Sequence, residues 1–79
     1  MKITGFKKED TALEGCMVLS EVAISASPDT LRDLADFLLA AAKEMEELGA
    51  EYDHLHLMDE WDKWKEGYAD IQILSEKYI

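Results

Sequence analysis

The chain predicts an α+β fold: an antiparallel sheet of about four strands with one long amphipathic helix packed on one face, in the order β-β-α-β-β. Three observations predict it. A capped stretch with helical spacing occupies the middle of the chain. A run rich in Val, Ile and Leu precedes it, and two short segments of alternating polarity follow it. A sheet with its helix on a single face leaves the other face for solvent or a partner.

Lys2 to Lys7 reads as the first strand, joined to the second as a hairpin through the polar connection Lys8-Glu9-Asp10-Thr11. Gly15 to Ala26 reads as the second strand. Its residues Val18, Val22, Ile24 and Ala26 share one parity and so one face, with Met17, Leu19 and Glu21 on the outer face. Cys16 is the only cysteine, which excludes an internal disulfide and argues for a reducing compartment. Its apolar setting, Cys16-Met17-Val18-Leu19, predicts a buried structural thiol.

The helix announces itself at Ser27-Pro28-Asp29. Ser27 can accept from the first free amides, Pro28 suits the first helical position, and Asp29 meets the positive end of the dipole. Leu31, Leu34, Ala35, Leu38, Ala42, Met45 and Leu48 recur at helical spacing and predict the core-facing stripe. Asp33, Asp36, Glu44 and Glu47 fall on the opposite face, and Gly49 ends the helix.

Beyond the helix, Tyr52-Asp53-His54-Leu55-His56-Leu57 alternates as a strand. His54 and His56 share one face, and Leu55 and Leu57 share the other, towards the core. Ala69 to Leu74 alternates again, with Ile71 and Ile73 inward. His54, His56, Asp70 and Gln72 are therefore expected on the outer face, with Asp53 pointing away from the histidines. Met58 to Tyr68, which holds Trp61, Trp64 and Gly67, is expected to be a long loop or a single helical turn.

At 79 residues, 48% of them hydrophobic, the chain is expected to form one domain over 1–79 with a single modest core. The net charge of −10 disfavours nucleic acid and anionic lipid, since phosphate binding needs Lys and Arg to displace counterions. The same charge favours a basic partner, although it also serves plain solubility. The opening Met1-Lys2-Ile3-Thr4-Gly5-Phe6 lacks the apolar region of a secretion signal, and no apolar run is long enough to cross a bilayer. A cytoplasmic location is expected.

Three chemistries compete for the histidine strand and its neighbours. Two imidazoles on one face of a strand can chelate a transition ion if Asp59, Asp70 or Asp53 completes the set, but His-x-His alone is a weak signal. The plainer reading is a pair of half-exposed histidines bonded to nearby carboxylates. A proton shuttle through His54 or His56 and Asp70 lacks an activated nucleophile, a phosphate loop and an obvious pocket, so catalysis is not expected. The third chemistry is protein recognition. Indoles in a segment as polar as Asp59 to Glu66 either close the core or present a hot spot, and one of each is expected. The stretch from His54 to Asp70 thus supplies the expected partner-binding set: His54, His56, Asp59, Trp61, Trp64 and Asp70.

The run Ile24-Ser25-Ala26-Ser27-Pro28 leading into the helix, then Asp53-His54-Leu55-His56-Leu57, then Trp64, Gly67 and Asp70-Ile71, resembles the immunity protein 32 family of bacterial toxin systems. The resemblance covers about Val22 to Leu74. It implies an α+β fold with a characteristic tryptophan, encoded beside a polymorphic toxin and neutralising it by binding. The matching positions are His54, His56, Trp64 and Asp70. Trp61 is a second tryptophan beside that pattern, which leaves open which indole corresponds.

The expected function is therefore that of a non-enzymatic binding protein, an immunity protein whose partner is a cognate and basic toxin, with no cofactor. The alternatives are a small metal-binding domain using His54 and His56, and a structural or regulatory module that forms a homodimer through an open sheet edge.

Overall fold

The computed structural model describes the backbone of residues 1–13 and 16–78, with side chains placed for 1–8 and 16–77. The α+β class and the strand order hold. β1 spans Lys2–Leu13, β2 Cys16–Ser25, α1 Pro28–Leu48, β3 His54–His56 and β4 Gln72–Leu74, and a four-residue helix α2, Leu57–Glu60, follows β3. The four strands lie in two separate antiparallel pairs, β1 with β2 and β3 with β4, in place of one continuous sheet. No helix among the described residues is long and apolar enough to cross a membrane.

The ends of α1 follow from local chemistry. Ser27 is extended, and its hydroxyl accepts from the Thr30 amide at 3.2 Å; Pro28 begins the first turn. Gly49, at φ 54, closes the helix by donating its amide to the Met45 carbonyl. The face that packs is rotated from the leucine stripe. Leu34, Phe37 and Ala41 are buried, whereas Leu31, Leu38 and Leu48 are each more than two-fifths exposed. Phe37 decides this. It is the bulkiest apolar side chain of the helix, and burying it gains the most area.

The core gathers on β3 and β4. Leu34, Phe37 and Leu57 form its centre, and Leu55, Trp61, Trp64, Ile71, Ile73 and Met1 pack around them. Tyr52 is buried just before β3, and its hydroxyl donates to the Ile73 carbonyl at 2.8 Å, tying the two strands together. Burial, followed by the Glu44 carboxylate, pushes that phenol above its ordinary pKa. The β3–β4 ladder pairs His54 with Leu74, Leu55 with Ile73 and His56 with Gln72. The Leu57 amide extends it to the Ile71 carbonyl at 2.8 Å. Pairing stops there because α2 begins, which shortens both strands relative to their alternating segments.

The N-terminal hairpin departs most from expectation. β1 continues through Lys8–Thr11, the expected connection, and Leu13 pairs with Cys16. The register also slips, since Phe6 pairs with Glu21 but Lys7 pairs with Leu19. Ser20 is the extra residue of this β-bulge, and its hydroxyl donates to the Phe6 carbonyl at 3.2 Å. A bulge inverts the phase of alternation, so Leu19 joins Val22 and Ile24 on one side, and Met17 follows two residues back.

Gly5 marks this side. A Cβ there would lie 2.9 Å from Leu19 Cδ1 and 2.8 Å from the Glu21 carbonyl oxygen, so only glycine fits. Most of the described side chains of the hairpin are exposed. Along β2 only Val18 is half-buried, and Cys16, expected in the core, is exposed.

Candidate functional site

β3 sorts its side chains by alternation. Leu55 turns to the core, and His54 and His56 turn away, with their rings 4.8 Å apart in an edge-to-face arrangement. Each imidazole is held through Nδ1 by a carboxylate. His54 bonds Asp53, the neighbour expected to point away, and His56 bonds Asp70 at 2.6 Å.

Asp70 does a second job. Its other oxygen accepts the Met58 amide at 2.9 Å, at the start of α2. Burial alone would raise the Asp70 carboxyl. The Met58 amide, the His56 imidazole and the Ile71 amide outweigh it and hold the pKa below the ordinary value.

The sign of the consequence follows from linkage. A folded pKa below the unfolded one gives stability that is fully present above the unfolded value of about 3.9 and is lost as pH falls through the folded value. Asp70→Asn is expected to cost about 1 kcal/mol at neutral pH, a modest figure because solvent reaches the carboxylate. It should also flatten the decline of stability below about pH 4. Urea melts across the acid range check both. An unchanged acid limb would remove Asp70 from this role.

The two indoles are both half-buried and both pack against the core, where one had been expected at the surface. Trp64 donates its Nε1 to the Ala69 carbonyl at 3.2 Å, which fixes the loop that returns to β4. Trp61 follows α2 directly, donating its amide to the Leu57 carbonyl, and its ring lies 6.4 Å from that of Tyr68. Asp59 is exposed on α2 and Gln72 on β4. Among the described residues, no group of three or more His, Cys, Asp or Glu is arranged to hold a metal ion.

Between α1 and the Trp61 segment lies a groove of about 380 Å³. Phe37, Ala40, Leu55 and Trp61 give it apolar walls. Asp33, Asp36, Glu60 and Asp62 ring it, and Lys63 is the one cation. Lys63 is occupied by Asp33 at 3.1 Å, and that bond, with the charge of Asp33, raises its pKa. The groove therefore presents four carboxylates against one ammonium around an aromatic floor.

Sequence reasoning missed this groove. Asp33 and Asp36 read as solvent-facing helix positions, and Phe37 fell outside the leucine stripe. The spacing of Leu34, Phe37 and Ala41, with acids directly beside it, was the available signal.

α2 joins the two features. It starts at the His56–Asp70 pair and ends at Glu60 and Trp61 on the groove, one helical turn and about 6 Å later. Glu60 and Trp61 border the groove together with Leu55, whereas His54 and His56 lie on the opposite face of β3 from Leu55.

The family model described as Immunity protein 32 matches residues 21–76, which takes in the second half of β2 and everything from α1 to β4. No curated protein and no solved structure gives a match.

Proposed function

Because the chain belongs to the immunity protein 32 family, we propose that it is a non-enzymatic protein that neutralises a cognate bacterial toxin by binding it directly, in the cytoplasm of the producing cell. The observation that carries this reading is the acid-rimmed, aromatic-floored groove beside α2. A guanidinium or ammonium from a basic toxin would lie on the Trp61 face and meet the carboxylates of Asp36, Glu60 and Asp62. Cation–π attraction and charge pairing then act on the same group.

His54, His56, Asp59 and Asp70 extend the contact along the other side of α2, and Trp64 holds the segment in shape. The charge of −10 speeds capture of a basic target. Binding at a toxin's phosphate-engaging surface would block it without any chemistry by the inhibitor.

Co-expression with the product of the neighbouring toxin gene, followed by gel filtration, tests the proposal. The expected result is a stable complex of defined stoichiometry whose affinity falls with salt. Separate elution of the two proteins at low salt would overturn it.

A further inference from the structure

β2 is a long strand with an open edge, and it is built differently from β1. β1 carries Lys2, Lys7 and Lys8, the kind of charge that keeps an edge strand from pairing with another chain. β2, Cys-Met-Val-Leu-Ser-Glu-Val-Ala-Ile-Ser, has no lysine and no proline, and Glu21 is its single charge. Its only ladder is the one to β1, and no backbone hydrogen bond from another element reaches it among the described residues. The bulge at Ser20 adds an apolar side to this edge. Met17, Leu19, Val22 and Ile24 line up on it, each 43% to 62% exposed. A two-stranded hairpin with most of its described side chains exposed is marginal in water.

We infer that this edge is occupied by a second copy of the chain, β2 against β2 around a twofold axis, which makes a four-stranded antiparallel sheet with β1 at each outer edge. The sequence of the strand is self-complementary in one register. With the axis between Ser20 and Glu21, Leu19 faces Val22 of the second copy and Met17 faces its Ile24, so every pair on that side is apolar. Glu21 falls opposite the second copy's Ser20 and meets no like charge.

Charge also selects this surface for self-contact. Two chains at −10 repel each other, and β2, with one charge in ten residues, offers a second copy little of that repulsion. A basic toxin would be drawn to the acidic groove instead, so the two surfaces do not compete.

The register can be read directly. In it, Cys16 lies opposite Ser25 of the second copy, at the Cα spacing of an antiparallel pair, which a disulfide can bridge. Within one chain the two positions are nine residues apart on the same strand, about 30 Å, and cannot join.

Light scattering of the native protein is expected to give twice the chain mass. Mild oxidation of Ser25→Cys is expected to convert it to a covalent dimer, while the native protein, with Cys16 alone, stays uncrosslinked. Val22→Lys, with its circular dichroism unchanged, is expected to halve the mass. Should Val22→Lys disturb the hairpin itself, the Ser25→Cys result decides without it. A chain that scatters as a monomer at every concentration overturns the inference. So does a dimer that Ser25→Cys leaves uncrosslinked, because its interface must then lie elsewhere. Neither readout involves a toxin, so failure here is separate from failure of the proposed function.

Discussion

Leu57→Ala is expected to lower the unfolding free energy by about 3 kcal/mol and the midpoint temperature by about 10 °C or more. Leu57 has no accessible surface, and it sits where β3 turns into α2. Its side chain packs with Leu34 and Phe37, and its amide carries the β3–β4 ladder one bond further, to Ile71. Alanine keeps the amide but leaves a void that the short β3–α2 junction cannot close, so transfer and cavity costs add. A domain of this size has only about 4–12 kcal/mol to lose. Leu39→Ala is the control. Leu39 is 69% exposed, and its loss should change stability by no more than about 0.5 kcal/mol. Urea titration of both variants checks the pair, and equal midpoints would place the core elsewhere.

The second large effect concerns the acidic groove. The double variant Asp36→Lys with Asp62→Lys is expected to weaken toxin binding by about 100-fold or more. Two attractive contacts become repulsive ones, and the field that speeds encounter is reduced as well. Both residues are exposed, so folding should be unaffected. Trp61→Ala is expected to cost about 2 kcal/mol of binding, mainly through faster dissociation. It also loosens the core, which makes the charge variant the cleaner of the two. Surface plasmon resonance at two salt concentrations separates the contributions, with the salt dependence of association shrinking in the charge variant. Full affinity in that variant, together with a loss in His56→Ala, would move the contact to the histidine side of α2.

The parts of this molecule that were legible in its sequence are those set by neighbours along the chain. Ser27, Pro28 and Gly49 mark the ends of α1 because capping and a positive φ are local demands. The alternation around His54 and Leu55 was legible for the same reason. Which face of α1 packs was not legible. Leucines and Phe37 score alike as apolar, and the choice belongs to the partner surface that β3 and β4 provide. The bulge at Ser20 was also hidden, because strict alternation is the only pattern a strand displays in sequence, and one extra residue inverts it without any marker. Asp33 and Lys63 are thirty residues apart, and their pairing, like the groove around it, exists only once α1 and the Trp61 segment meet.

All five of the chain's tryptophans and tyrosines lie after residue 50, and Trp61, Trp64 and Tyr52 rest in or against the one core. The β1–β2 hairpin contains none. The tryptophan and tyrosine absorption band and indole emission therefore watch only the C-terminal half, and the hairpin is silent to both. Amide circular dichroism watches the whole backbone. Followed together through one melt, the two signals separate loosening of the hairpin from collapse of the core.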